Sequence, residues 1–352
     1  NPDVPGITWV DLVFPFFLFT MGAAFPLAMR KKLDNGVSRW EITGSLFRRW
    51  LTLTIFAIVL GNAYANGTST RPAWMIQIFN ILLWGVMFMS LVRIPDEKKG
   101  KLINNTGMFL LVVMAYVRID FFGVPLNRWS SDIIIMILAN IAIWGGLIWM
   151  FTKDSLKLRW LVLFFIAGIK AVSSYAPEAL AWVPQMSFIG WFFNWAYLQY
   201  LVIALAGSIV GDMLLTQSRK NEAVNIDNNH IAAGIIALVA ALVQLWGLFT
   251  RNVLTDFIIS GALGVFFVAL TIKRRNVMTD IGYIGFALML VGIIFDPIDG
   301  GITKDHCNLS YMLTTSGMTA LTGAFILALE FRWHIKGRGL SGSGQNPMLA
   351  YT

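Results

Sequence analysis

The chain has 352 residues, of which 57% are apolar and only 13% are charged, and its mean hydropathy is +0.67. Soluble domains carry about 25% charged residues, so this composition excludes an ordinary soluble domain. Its one cysteine, Cys307, excludes an internal disulfide, and its three histidines lie too far apart for a metalloprotease motif. We therefore predict no metal site.

Eleven apolar runs have the length of a membrane-spanning helix. They are continuously apolar and do not alternate with period two, which favours helices over a barrel. The sequence predicts an all-α integral membrane protein, a bundle of about eleven transmembrane helices. In chain order the runs are 12–29, 50–64, 72–92, 102–117, 133–152, 160–174, 193–215, 231–250, 257–272, 281–295 and 307–329.

One long uncharged stretch, 179–211, exceeds the length of a single span. Its first part, 179–188, contains Pro184. We expect this part to be a surface or re-entrant segment that precedes the seventh spanning helix.

Basic residues separate between the two faces of the predicted bundle. When the loops are numbered alternately, 21 of the 27 lysines and arginines fall on one side. Loops rich in positive charge stay in the cytoplasm, so the first helix is predicted to run from outside to inside. The net charge of +8 is then a topology signal, and we expect no nucleic-acid partner. The charge pattern does not identify the organism, so the outer side is the periplasm in a bacterium and the lumen in a lysosome. Of these, the bacterial cytoplasmic (inner) membrane is the expected location.

The residues at the two ends of the chain predict that it is a fragment of a longer protein. The chain starts at Asn1 without a methionine and stops at 346–352, which resembles the opening of another helix after a glycine-rich hinge at 337–344. We expect the first and last helices of the full protein to be missing, so that the bundle is truncated at both ends. Residues 1–352 are predicted to form a single polytopic domain.

Lys170 places a positive charge within an apolar run, where burying that charge costs free energy. It lies roughly 16 Å into a helix entered at Arg159, at 1.5 Å per residue. A charged group near the bilayer centre costs about 2.5 kcal/mol or more unless it is paired or hydrated. Two interpretations stay open: a structural ion pair or shifted helix register, and a polar cavity lining with Glu178 or Asp212 as partner.

The outer face gathers titratable side chains. Asp11 opens the first helix, and the turn-rich segment 296–306 ends in Lys304, Asp305 and His306. Acyl transfer to an amine or hydroxyl needs a base near the acceptor, which a histidine with carboxylates could supply. The alternatives are a helix-start carboxylate favoured by the helix dipole, and solvated loop charges.

On the inner face, Arg48 and Arg49, or the run 30–32, could clamp the phosphates of a nucleotide-like cofactor. Topology and contact with anionic lipid explain each of these basic groups, taken singly, better than a cofactor does. No Walker or dinucleotide fingerprint is present, and a flexible hinge explains the Ser/Gly stretch at 341–344 better than a phosphate loop.

Three segments carry a family resemblance. Residues 9–22 (WVDLVFPFFLFTMG) are similar to the D-L-V-F-P-x-F-x-F-x-x-G signature of the heparan-α-glucosaminide N-acetyltransferase-like family. Residues 303–305 with 310–311 resemble its late loop and helix start, and 344–351 resembles its final G-x-N-x-L-x-x-Y helix opening. The chain also resembles a Bacteroides-type branch of this transmembrane acyltransferase family.

The resemblance implies a mechanism and a set of site residues. Acetyl- or acyl-coenzyme A would bind from the cytoplasm as donor, and a sugar or glycan outside would accept the acyl group. From the charged faces and the resemblance together, the predicted site residues are Asp11, Lys304 and His306 on the catalytic side, and Arg48, Arg49 and Asn346 on the donor side. The family's catalytic histidine would fall at or just before Asn1, where this chain shows none, so His306 is only a substitute candidate.

Membrane lipid is the other expected partner, and the sequence leaves a homodimer open. A secondary transporter of a small polar solute would also show many helices, a buried lysine and polar groups at both faces. It should contain internal repeats, and none is visible in the sequence. A non-catalytic membrane scaffold is the third interpretation, favoured if the outer histidine is absent from the full-length gene.

Overall fold

A computed structural model of the chain describes residues 5–63, 71–92, 94, 96–123, 130–176, 190–220, 224–304 and 306–333. All regular secondary structure assigned among these residues is α-helical. The helices are α1 (Trp9–Asp34), α2 (Arg39–Ala63), α3 (Ala73–Leu91), α4 (Glu97–Asp120), α5 (Ile133–Thr152), α6 (Leu156–Tyr175), α7 (Trp195–Leu198), α8 (Leu201–Lys220), α9 (Asn228–Thr250), α10 (Val253–Thr271), α11 (Val277–Phe295) and α12 (Leu309–Trp333).

Ten helical segments of the described chain are long and apolar enough to cross a membrane, with α7 and α8 counted together. The eleventh predicted run lies in α6, which buries two cations, Arg159 and Lys170. The all-α transmembrane bundle predicted from the sequence is confirmed, and the protein is an integral multi-pass membrane protein. The predicted re-entrant segment at 179–188 and the hinge at 337–344 lie outside the described residues.

The chain divides into two compact units. Unit 1 contains Asn1–Thr43 and Trp144–Lys336, and unit 2 contains Gly44–Ile143 and Gly337–Thr352. We call the end of unit 1 where α1 begins its outer end, and the end where α1 finishes its inner end. The core of unit 1 is formed by α8 and α12, which are buried without interruption over 201–211 and 309–321.

Helix α1 packs against α8 along a seam of small residues. Gly207 and Gly211 form a G-x-x-x-G pattern, the spacing that lets membrane helices approach closely. A methyl group added at Gly207 would lie 2.7 Å from the backbone carbonyl carbon of Phe19, and one at Gly22 would lie 2.7 Å from that of Ala204. Because backbone meets backbone here, the seam fixes the position of α1 and of the residues at its outer end.

Unit 2 contains two close helix contacts of its own. Helices α3 and α4 pack together where Gly107 meets Ser90, since an added methyl would lie 2.6 Å from the Ser90 nitrogen. At the end of α2, the Asn62 side-chain amide donates to the Ser130 carbonyl at 3.0 Å, and the Ser130 hydroxyl donates to the Gly61 carbonyl at 3.0 Å. These bonds attach the segment before α5 to the end of α2.

Arg159 joins three helices of unit 1 from a fully buried position. Its guanidinium pairs with Asp212 of α8, and it donates to the Thr152 hydroxyl at 3.0 Å and to the Ser208 carbonyl at 3.2 Å. Asp212, one of the two partners expected for Lys170, is therefore paired with Arg159. The ion pair holds the α5–α6 turn against α8.

Lys170 lies closer to the outer end of α6 than the central position expected from the sequence. It is five residues from the end of α6 at Tyr175, which is about 7.5 Å at 1.5 Å per residue. Its ammonium group is 3.5 Å from the backbone carbonyl oxygen of His306 in the outer loop. Its other expected partner, Glu178, lies outside the described residues.

Candidate functional site

The loop between α11 and α12 forms much of the outer end of unit 1. The buried carboxylate of Asp296 accepts two hydrogen bonds from the Arg251 guanidinium, at 3.0 and 3.1 Å, in a bidentate pair. It also accepts a hydrogen bond from the backbone nitrogen of Ile302 at 2.7 Å. Gly301 has φ of +102°, and a side chain there would meet Pro5 and Arg251. The backbone of Gly6 then donates to the Ile302 carbonyl at 2.8 Å, which joins the loop to the chain entering α1.

Asp11 and Lys304 meet at this end of the unit. The carboxylate of Asp11 accepts from both the backbone nitrogen and the hydroxyl of Thr8 at 2.8 Å, in a capping box at the start of α1. Its second oxygen lies 3.4 Å from the Lys304 ammonium. The Tyr311 hydroxyl donates to the backbone carbonyl of Asp11 at 2.7 Å. The helix-cap interpretation of Asp11 is thus correct, and the cap also faces a cation.

A cavity of about 490 Å³ opens beside this loop. Its lining includes His306, Asp299, Tyr175 and Asn308. Asp299 accepts from the Tyr175 hydroxyl and, at 2.6 Å, from the backbone nitrogen of Ser310. Within the described chain, no hydrogen bond is found to the imidazole of His306. The cavity therefore presents an imidazole and a carboxylate to the same space.

Cys307 follows the cavity residue His306 and is almost fully buried at 1% exposure. Burial raises the pKa of its thiol to about 12, while Tyr200 and Lys170 act in the opposite direction. Its backbone has φ of 43°, an uncommon conformation for a residue with a side chain. The thiol is thus neutral at physiological pH and lacks the thiolate character of a nucleophile.

Two hydroxyl groups in the outer half of α12 lack hydrogen-bond partners in the described chain. Ser310 Oγ and Thr314 Oγ1 are fully buried, and one helical turn separates them. An added methyl at Gly292 of α11 would lie 2.5 Å from the backbone nitrogen of Thr314, so no larger residue fits opposite. The sequence shows these residues only as serines and threonines in an apolar run, without a sign that they are unpaired.

A larger cavity of about 1100 Å³ opens at the inner end of unit 1. It is lined by the last turns of α1 and α8, the α5–α6 turn, and the segments before α9 and α11. Six cations and four carboxylates contribute to the lining, namely Arg30, Lys153, Arg219, Lys220, Arg274 and Arg275, with Asp154, Asp212, Asp227 and Asp280. The alternation of basic loops predicted that most of these residues share one end.

Most of these cations already pair with carboxylates. Arg30 lies 3.2 Å from Asp154, and Arg275 lies 2.6 Å from Asp280. Exposed Lys220 has no ion pair among the described residues. The inner cavity thus has a net positive rim with one lysine available to an anion.

His230 is held on both sides at the wall of the inner cavity. Its Nδ1 lies 2.7 Å from Asp227, and its Nε2 lies 2.8 Å from the Arg274 carbonyl, which can only accept. Partial desolvation opposes ionisation of Asp227, but hydrogen bonds from His230 and the charge of Arg274 lower its pKa. Because both ring nitrogens are engaged, this histidine joins α9 to the segment before α11 and is not placed as a base.

The residues predicted on the donor side either do not line the inner cavity of unit 1 or are not among the described residues. Arg48 belongs to unit 2, where it donates to Asn105 at 2.7 Å, and its neighbour Arg49, also in unit 2, is not free of interactions. Asn346 lies outside the described residues. Their role in binding a donor stays a prediction. Among the described residues, no group of three His, Cys, Asp or Glu side chains is arranged to hold a metal ion.

The fold and the two cavities define a multi-pass membrane protein with polar sites at both ends of one helical unit. The chain belongs to the family described as a domain of unknown function, DUF5009, whose model matches residues 1–214. The heparan-alpha-glucosaminide N-acetyltransferases of Homo sapiens and Mus musculus are each 36% identical to it over 63 residues, which are 18% of this chain and 10% of each relative. The chain thus matches only a tenth of the length of these curated relatives. No solved structure matches it.

Proposed function

We propose that the protein is a membrane-embedded acyltransferase that moves an acetyl or acyl group from acyl-coenzyme A on the inner side to a sugar or glycan on the outer side. The observation that carries the proposal is the outer cavity, where His306 and Asp299 line one space. Support comes from the two similar proteins, which are named as N-acetyltransferases of a heparan glucosaminide.

On the acceptor side, His306 is the proposed general base, since its imidazole has no hydrogen bond in the described chain. Asn308 and Thr303 line the same cavity. The Asn308 amide is bonded to the loop backbone, so the Thr303 side chain is the group proposed to meet a sugar hydroxyl. Lys304 belongs to the same loop, although it is not part of the cavity lining, and is held 3.4 Å from Asp11. We assign to it the positive charge that would stabilise the oxyanion developing on the thioester carbonyl.

The proposed step balances without any redox partner. The acceptor nitrogen or oxygen attacks the thioester carbonyl carbon, and the new C–N or C–O bond forms as the C–S bond breaks. The proton of the attacking group passes to the His306 imidazole, and coenzyme A leaves as a thiolate that takes a proton from solvent. A base of this kind contributes about 10²–10⁴-fold to rate.

On the donor side, the inner cavity is the proposed entry for the phosphates of coenzyme A. Its cations outnumber its carboxylates, and Lys220 has no ion pair in the described part of the chain. Arg48, Arg49 and Asn346 are retained as further donor-side candidates from the sequence. We further propose a bacterial cytoplasmic membrane location, contact with membrane lipid, and a homodimer as an assembly to be tested.

The test uses the full-length protein, purified in detergent, with radiolabelled acetyl-coenzyme A and a panel of amino sugars that includes glucosamine. We expect transfer by the wild type and its loss in His306→Gln. Coenzyme A binding without transfer to any acceptor of the panel would count against the stated acceptor class. Absence of saturable binding would refute the acyltransferase and favour a transporter or scaffold.

A second test separates the donor site from the acceptor site. Lys220→Ala should raise KM for acetyl-coenzyme A several-fold with kcat little changed, because a phosphate contact made equally in ground and transition states is removed. The matched control is Lys273→Ala, which removes a lysine from the same face that does not line the inner cavity. Equal effects of both substitutions would contradict the proposed donor site.

A further inference from the structure

A carboxyl group is buried between α9 and α10, away from both cavities. Asp256, Gln244 and Ser260 are all fully buried. The Gln244 side-chain nitrogen donates to one oxygen of Asp256 at 2.7 Å, and the Ser260 hydroxyl lies 3.3 Å from the other. Every partner of the carboxyl is therefore an uncharged group of the helix pair.

No cation pairs with Asp256 among the described residues. From the neighbouring helix α11, Asp296 acts on it electrostatically as a like charge. Arg251, which follows α9, forms its bidentate pair with Asp296. An ionised Asp256 would thus be a buried charge without a counter-ion, a state that proteins avoid unless the charge is compensated.

The side chain of Asp256 packs closely against helix α9. A methyl group added at Gly247 of α9 would lie 2.8 Å from the Asp256 Oδ2 atom, so the two helices are in close contact there. At the same place, Gln244 Oε1 is buried and has no hydrogen-bond partner. The carboxyl thus packs directly against the α9 backbone and lies beside a second buried acceptor, the Gln244 Oε1 atom.

We propose that Asp256 is a proton-binding site in the outer half of the α9–α10 pair, and that the Ser260 hydroxyl serves both protonation states of its carboxyl. When Asp256 is neutral, its O–H donates to the Ser260 hydroxyl oxygen. When Asp256 is ionised, the Ser260 hydroxyl turns and donates to it. A hydroxyl can donate or accept a hydrogen bond, whereas an ammonium or guanidinium group only donates and so would stabilise only the charged carboxylate. This site is separate from the proposed acyl transfer.

Infrared difference spectroscopy of the full-length protein in detergent tests the proposal. At neutral pH we expect a protonated carboxyl band that shifts on exchange into D₂O and is missing in Asp256→Asn, with an unchanged thermal midpoint. The matched control, Asp280→Asn, removes an exposed carboxylate paired with Arg275 and should keep the band. Identical spectra of wild type and Asp256→Asn would overturn the proposal.

A second measurement does not depend on the variant folding. Wild-type protein labelled with ¹³C at the aspartate carboxyl carbon should show an isotope shift of the same band. Absence of any labelled protonated-carboxyl band at neutral pH would refute the proposal. Stability that rises with sodium but not with choline would also refute it, because a metal cation would then occupy the site.

Discussion

Gly22→Ala is the sharpest perturbation of the α1–α8 seam. The added methyl carbon would lie 2.7 Å from the Ala204 carbonyl carbon. Non-bonded carbons prefer about 3.5–4.0 Å, so the helices must separate by roughly 1 Å. The obstacle is backbone and cannot rotate away as a flexible side chain would.

The magnitude follows from two opposing effects. Overpacking a close-packed site costs about 1–3 kcal/mol, and a backbone obstacle places Gly22 at the upper end of that range. Alanine regains about 1 kcal/mol of helix propensity. The net destabilisation is about 2 kcal/mol, which corresponds to a lowering of the thermal midpoint by about 4–8 °C for a unit of this size.

The assay compares thermal midpoints of full-length variants in one detergent at one scan rate, since membrane proteins often unfold irreversibly. Gly261→Ala is the matched control, because no atom lies within 4 Å of its added methyl. Its midpoint should stay the same or rise. If Gly22→Ala were as stable as Gly261→Ala, the close approach of α1 and α8 would be wrong.

Three further predictions concern charged groups and the thiol. Asp212→Asn leaves buried Arg159 without its counter-ion and should cost about 3–5 kcal/mol in thermal or denaturant unfolding; a change below 1 kcal/mol would contradict the buried pair. Lys304→Met should abolish transfer but alter stability by less than about 1 kcal/mol, because that ion pair is partly exposed. Cys307, whose pKa is raised from 9.0 to about 12, should resist maleimide at neutral pH until the protein is unfolded. Rapid labelling of the folded protein would refute the burial of this thiol. The contribution of the thiol to stability is present below pH 9 and is lost as the pH rises towards 12.

The helices were predictable because a bilayer demands continuous apolar runs, and each run of the sequence lies within a helix over most of its length. Helix ends were less predictable. The predicted apolar run began at residue 257 and excluded Asp256, because a carboxylate interrupts an apolar run. In the structure α10 begins at Val253 and buries Asp256 against Gln244. A polar residue in the first helical turn can be buried by a neighbouring helix that the sequence does not identify.

The outer site was predicted in part. Asp11 and Lys304 were assigned to one face from the alternation of loops and the family resemblance, and the structure brings them within 3.4 Å. The bidentate pair of Arg251 with Asp296 was not predicted, because nothing in the sequence connects an arginine after one helix to a carboxylate after another. Basic residues recur in every inner loop, so the sequence could not show that the inner cavity of unit 1 is lined by Lys220.

The seam between α1 and α8 connects the fold to the proposed chemistry. Asp11 and Gly22 lie eleven residues apart on the same helix, α1. The Asp11 carboxylate faces Lys304 only if α1 enters the bundle at its present depth. Three glycines fix that depth by backbone contact. A substitution in the seam should therefore reduce transfer even where the protein remains folded, because the Asp11–Lys304 distance depends on helix position. Loss of transfer in Gly22→Ala at temperatures well below its midpoint, with Gly261→Ala fully active, would establish this dependence; full activity of Gly22→Ala there would separate the seam from the site.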